Sequence, residues 1–254
     1  MSLTGISGAG RIRLFDDFCG HEIPVANAVA YGGSAGGCNY YVGPFKLLGD
    51  LVNTDTGAAA QSKASGYIRL ASSAAADADG CALATEVCFS PALNGPIVME
   101  TRLEMAALTA RHVFFGLMGT AADNIAEATT NTTITITKAV PCLGFLFDSQ
   151  LTTSGTNWFM PYILASDTTQ TSTDVVSSQT AVLAESDVLR LEVDRDGGAR
   201  WYINGKLEQT VGAGLAATTT TLMAAVLGVW STTTTLTSLD VDYMAVEAER
   251  DWTR

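Results

Sequence analysis

The 254-residue chain is poor in charge: Asp, Glu, Lys and Arg make up 16% of it, with 14 Lys and Arg against 26 Asp and Glu. A net charge of −12 without a basic run excludes nucleic acid and anionic membrane surfaces as partners, because both are held by clustered cations that displace counterions. Histidine is scarcer still. His21 and His112 stand far apart with no Ser or Cys nucleophile context, which gives a hydrolytic triad no footing. The five cysteines (Cys19, Cys38, Cys81, Cys88 and Cys142) are odd in number, lack CxxC spacing and have no His nearby. Zinc is therefore not indicated, and the thiols read as small buried hydrophobes, with a Cys81–Cys88 bridge left open. No window approaches the roughly 18 apolar residues of a membrane helix; the most apolar stretch, Leu222 to Trp230, is about half that. The N-terminus has no basic segment followed by an apolar block, so the reading is of a chain made in a cytoplasm without a secretory signal. With so few groups able to do acid–base or nucleophilic work, the composition points to a structural or binding protein and not an enzyme.

What the chain does have is 47% hydrophobic residues, enough for a large core, with abundant Ala, Thr and Gly. Thr favours strands and Gly the turns between them. Period-two alternation dominates. Leu189, Leu191 and Val193 alternate with Arg190, Glu192 and Asp194, placing one face on a core and the other in solvent. The turn signal Arg195-Asp-Gly-Gly198 follows, then Ala199–Ile203, the hairpin signal Asn204-Gly205 and Lys206–Val211, so residues 187–211 read as a three-stranded meander. Ile97–Met105 and Thr133–Thr137 alternate in the same way. Shorter runs read as strands at Arg11–Phe18, Tyr67–Ala71, Ala82–Phe89, His112–Met118, Cys142–Phe147, Trp158–Leu164, Leu222–Trp230 and Leu239–Glu247. Roughly a dozen strands and at most one short helix, with residues 119–128 reading as that helix or as a long loop, describe an all-β antiparallel jelly-roll sandwich. No linker splits it: residues 1–10 read as a flexible N-terminal arm, 11–247 as one sandwich domain and 248–254 as a C-terminal tail.

Several tracts, taken in order, resemble a known family. Leu14-Phe-Asp-Asp-Phe18, Val113-Phe-Phe-Gly-Leu117, Gly144-Phe-Leu-Phe-Asp148, Asn157-Trp-Phe, Leu189–Asp194, Ala199–Gly205 and Val241–Val246 are similar to those of tailed-bacteriophage virion proteins with a concanavalin-like, lectin or laminin-G type jelly roll. The resemblance implies an opening strand that pairs near the last one. It also implies a structural component of the particle, a capsid decoration or cement protein that binds the major capsid protein on the virion surface, commonly as a homotrimer, with no cofactor. A carbohydrate-binding module of a head or tail fibre is the alternative. The arm would clamp a neighbouring subunit by strand addition.

Concanavalin-like sandwiches also occur in glycosidases, and a retaining enzyme needs two carboxylates about 5 Å apart. The Glu-x-Asp-x-x-Glu arrangement of the lectin-like glycosidases is absent, and Glu100 with Glu104, Glu192 with Asp194 and Asp240 with Asp242 fall on predicted solvent faces, so catalysis is not expected. Asp16, Asp17, Asp194 and Asp196 are calcium candidates, as oxygen ligands beside turns; the competing reading has Asp196 capping its own turn and the others flanking a strand. Trp158, Trp201 and Trp252 are the ligand or partner candidates, through stacking on a glycan or, for Trp252, docking by the tail; core packing competes for the first two.

Overall fold

The structure, a computed structural model, describes residues 10–20, 41–49, 57–72, 80–119, 129–130, 133–134, 141–151, 154–165 and 175–251. The strands are β1 (Arg11–Asp16), β2 (Tyr41–Val42), β3 (Phe45–Gly49), β4 (Gly57–Gln61), β5 (Tyr67–Ala71), β6 (Gly80–Ala84), β7 (Ile97–Glu104), β8 (Arg111–Met118), β9 (Thr129–Thr130), β10 (Thr133–Ile134), β11 (Cys142–Asp148), β12 (Asn157–Phe159), β13 (Tyr162–Ile163), β14 (Val176–Thr180), β15 (Ser186–Val193), β16 (Ala199–Ile203), β17 (Lys206–Val211), β18 (Ala224–Ser231) and β19 (Ser238–Glu249); the helix α1 covers Pro91–Asn94.

Alternation sorts these strands into two antiparallel sheets. Sheet A runs β17-β16-β15-β7-β19-β5-β4, with β1 also on β19; sheet B runs β14-β12-β11-β8-β18-β6-β3-β2, with β13 also on β11, and β9 and β10 form a separate pair. The predicted meander is β15-β16-β17, and its Asn204-Gly205 turn has positive φ at both residues, 52° and 79°, the geometry that a two-residue hairpin turn of this twist requires. β1 pairs with the end of β19 from Arg11↔Glu249 to Asp16↔Met244, as the resemblance implied. That pairing carries the last strand to Glu249, so Ala248 and Glu249 belong to the sheet and not to the tail.

Between the sheets lies one large apolar cluster. Sheet A contributes Ile97, Met99, Leu103, Leu189, Leu191, Val193, Trp201, Leu239 and Val246, and sheet B Val113, Phe115, Leu117, Phe145, Phe147, Trp158, Leu227 and Val229. The two faces turned away from this core differ. Sheet A presents charged residues outward, whereas β8, β11 and β18 are buried throughout. The outward side chains of sheet B form a second apolar cluster that includes Phe114, Leu146, Phe159, Val226 and Trp230. Trp230 lies across Gly80 and Gly228, where an added Cβ would strike its indole, so the two glycines form the bed that lets the ring lie flat on the sheet.

The structure departs from the sequence reading in several places. The sequence reading has no strand at β2, β3, β4, β9 or β14, and the strand it places at Ala82–Phe89 ends at Ala84; β4, Gly-Ala-Ala-Ala-Gln, has neither the branched nor the aromatic residues that mark a strand. The stretch from Trp158 to Leu164 is two short strands, because Pro161 removes a ladder donor between them. The one helix described lies at Pro91–Asn94, with proline in its first turn; the stretch 119–128, read as a short helix or a long loop, falls outside the described residues except for Gly119, as do most of the N-terminal arm, the end of the 133–137 strand, His21, Cys38 and Trp252.

Candidate functional site

The outward face of sheet A carries every carboxylate pair weighed from the sequence. Alternation on β7 and β15, and on β19, where a bulge between Val241 and Tyr243 shifts the register, brings Glu100, Glu104, Glu192, Asp194, Asp240, Asp242 and Glu247 to one surface, and each meets a cation there. Glu100 and Glu192 share Arg190, at 3.2 and 2.7 Å; Glu192 and Asp194 share Arg200, at 3.1 and 2.8 Å. Arg102 holds Asp242 at 2.9 Å and Arg13 holds Glu247 at 2.9 Å. Asp240 lies between Arg69 and Lys63 at 2.6 and 2.7 Å, and Lys63 also reaches Glu104 at 2.8 Å.

The electrostatics follow from this pairing. Burial pushes the Asp240 carboxyl up, but Arg69 and Lys63 together hold it below the usual carboxylate range. Glu192 is likewise held down by Arg190 and Arg200 against its own desolvation. Burial and the neighbouring Glu100, which accepts the Tyr243 hydroxyl at 2.8 Å, push that phenol up. An acid catalyst needs a carboxyl raised toward neutrality beside a second, ionised one; on this face the shifts run the other way. The arrangement suits a rigid, self-neutralised surface.

The candidate residues lie elsewhere. Trp158 and Trp201 are both buried, at 0% exposure, and tie the sheets together. The Trp158 indole N–H donates to Asp187 on β15 at 2.9 Å, and that of Trp201 to the Gly144 carbonyl on β11 at 2.8 Å. Neither ring offers a face to a glycan, which corrects their assignment as ligand residues: an indole on the inward side of a strand is worth more in the core, provided its N–H finds a partner. The four calcium candidates do not converge. Asp16 and Asp17 accept the backbone N–H groups of Phe18 and Cys19, and Asp196 accepts that of Gly198 at 3.0 Å, all local turn bonds. Asp194 is engaged by Arg200. Asp16 stands opposite Met244 on β19, whereas Arg195, next to Asp194, pairs with Glu249 at its far end. Among the described residues no group of three or more His, Cys, Asp or Glu could hold a metal. Cys81 and Cys88 form no disulfide with each other, so that alternative is closed; Cys81 and Cys142 are buried as expected, but Cys19 and Cys88 are exposed.

Sequence reasoning missed a polar cap at one end of the sandwich. Arg111 and Thr237, 4% and 2% exposed, stand at inward positions of β8 and just before β19. Arg111 donates to the carbonyls of Thr109 and Ser238 at 3.2 and 2.6 Å, and burial pulls its guanidinium down to about 10. On the other side of sheet B, His112 meets Asp148 at 3.2 Å, with both side chains buried. Period-two parity alone would have put Arg111 inside. An arginine at the start of a strand reads as a solvated end, which masks that signal.

No family model matches the chain, and no curated protein matches it. Solved structures do. A protein of unknown function from Shewanella oneidensis MR-1 aligns over 100% of this chain and 92% of its own, with 15% identity and a TM-score of 0.63. The carbohydrate recognition domain of Emp46p in its potassium-bound form covers 80% of this chain and 88% of its own, at 8% identity and 0.51. A structure described with endo-acting O-glycanases that the human gut microbiota expresses to initiate mucin breakdown covers 91% and 97%, at 10% identity and 0.50. At these identities the likeness is one of fold: the chain has the concanavalin-like jelly roll shared by lectins and glycosidases.

Proposed function

We propose that the chain is a non-enzymatic structural component of a bacteriophage particle, a capsid decoration or cement protein that sits on the virion surface, binds the major capsid protein and acts as a homotrimer. The observation that carries this reading is the outward face of sheet A, where every acid is spent on a cation of the same face. Such a surface stiffens the sandwich, and Glu192 and Asp240 on it are held down by their cations and not raised. The ordered tracts of the phage resemblance support it further, because they fall on strands that pair with one another: β8 with β11, β11 with β12, β15 with β16, and β1 with β19. A reconstruction of the particle encoded with this chain tests it. Density in hundreds of copies over the icosahedral shell is the expected result; a few copies confined to the tail would overturn it.

A second reading, a carbohydrate-binding module of a head or tail fibre, is favoured by one feature: a cavity of about 330 Å³ on the outward side of sheet A, beside Arg69.

A further inference from the structure

The cavity lies where the smallest residues of the chain meet its ion-pair array. Ala59, Arg69 and Asp240 form one cross-strand row over β4, β5 and β19, and Gly57, Ala71 and Ser238 form the next. Ile68, Leu70, Leu239 and Val241 point into the core, so strand alternation turns both rows outward. The floor therefore bears nothing beyond a β-carbon at Gly57, Ala59 and Ala71, and the exposed Leu236 adds to its apolar lining. Its polar groups are at the rim. Arg69 is clamped by Asp240, with Nε at 2.6 Å and Nη2 at 2.8 Å, and its Nη1 makes no hydrogen bond among the described residues. The Ser238 hydroxyl makes none among them either. Gln61 donates through Nε2 to the Ala60 carbonyl at 3.1 Å, and its Oε1 accepts nothing there.

We propose that this cavity binds one pyranose ring of a neutral glycan. A sugar ring has an apolar face of C–H groups and a belt of hydroxyls, and the site offers the complement: an apolar lining of Gly57, Ala59, Ala71 and Leu236, a fixed pair of donors on Arg69, an acceptor on Gln61 and a hydroxyl that does either. The volume stands at the lower end of small-molecule sites, about 300–1,000 Å³, which suits one ring and not a chain of them. The local charges select a neutral sugar, because Arg69 and Lys63 are balanced by Asp240 and Glu104 at contact distance. Arg69 is held in place before any ligand arrives, so little side-chain freedom is lost on binding. The inference rests on the carbohydrate reading of the chain.

The test uses the full chain and saturation-transfer NMR with the methyl pyranosides of glucose, galactose, mannose and N-acetylglucosamine, at about 10 mM because a single-ring site binds on the order of 1 mM. At least one pyranoside is expected to bind. Ala71→Phe, which fills the floor, should abolish binding, and Ser238→Ala should weaken it about threefold to tenfold, one neutral hydrogen bond. Circular dichroism melting establishes that each variant is folded; if Ala71→Phe is not, Ser238→Ala decides. Absence of binding by the parent chain to all four sugars overturns the inference, as does binding that Ser238→Ala leaves unchanged. A preference for glucuronate over glucose would overturn the neutral class. Loss of binding in Trp252→Ala with the cavity variants unaffected would move the site to the tail.

Discussion

At the scale of single residues the two inter-sheet indoles are the sharpest test of the fold. Trp201→Phe removes the donor to Gly144 and leaves that carbonyl buried without a partner beside a void, so it should destabilise the protein by about 2–4 kcal/mol in urea unfolding. Trp158→Phe should act similarly by stripping Asp187 of a donor. On the other side of sheet B, Gly80→Ala puts a methyl group where the Trp230 ring lies, and overpacking of this kind costs about 1–3 kcal/mol, read as a lower denaturation midpoint with an unchanged slope. That Trp158 and Trp201 alternate inward could be read from period two. That their N–H groups reach across to the opposite sheet could not, because each partner is contributed by a strand distant in sequence.

At the scale of elements, the edges decide how the sandwich is closed. β17 of sheet A and β14 of sheet B are both edge strands among the described residues, and Glu208 joins them. Its carboxylate accepts the Ser178 N–H at 2.7 Å and hydroxyl at 3.0 Å, the Gln179 amide at 3.3 Å and the Lys206 ammonium at 2.9 Å, with its own side chain 3% exposed. Burial pushes this carboxyl up, but Lys206 and the Ser178 and Gln179 donors outweigh it and pull it down to about 2. A carboxyl lower in the folded than in the unfolded state contributes stability above its unfolded value and loses it as pH falls through the folded one. The contribution, about 1–3 kcal/mol, should therefore be complete above roughly pH 4.5 and lost between there and about pH 2. Glu208→Gln should be less stable than the parent chain at pH 7 and should show a flatter stability profile across that window, measured by urea titration. The meander that carries Glu208 was legible from alternation and from Asn204-Gly205. Its partner β14, Val-Ser-Ser-Gln-Thr, was not, since a polar edge strand held by side-chain bonds has little apolar periodicity to announce it.

For the whole molecule, the decoration reading predicts an assembly. Sedimentation equilibrium of the purified chain should give about 80 kDa, three times the 26.6 kDa chain, and a monomer at micromolar concentration would count against the trimer. The Arg111 cap belongs to this scale as well, because it braces both sheets at one end. Arg111→Met leaves the Thr109 and Ser238 carbonyls without their donors and should lower stability by about 2–4 kcal/mol, seen as earlier thermal unfolding without loss of strand content below the transition.

Alternation, turn chemistry and the ordered Phe/Gly/Asp tracts determined by themselves that the chain is an all-β jelly roll, and where most of its long strands run, since a strand with one face buried writes its register into a local period of two. Which candidates remain available to a ligand was decided only by the tertiary structure. Burial, ion pairing and the meeting of small residues arise between strands far apart in sequence: Asp240 finds Arg69 across 171 positions, and the Gly/Ala floor exists only where β4, β5 and β19 lie side by side. The local pattern shows which way a side chain points, and only the packed sheets show what it meets there.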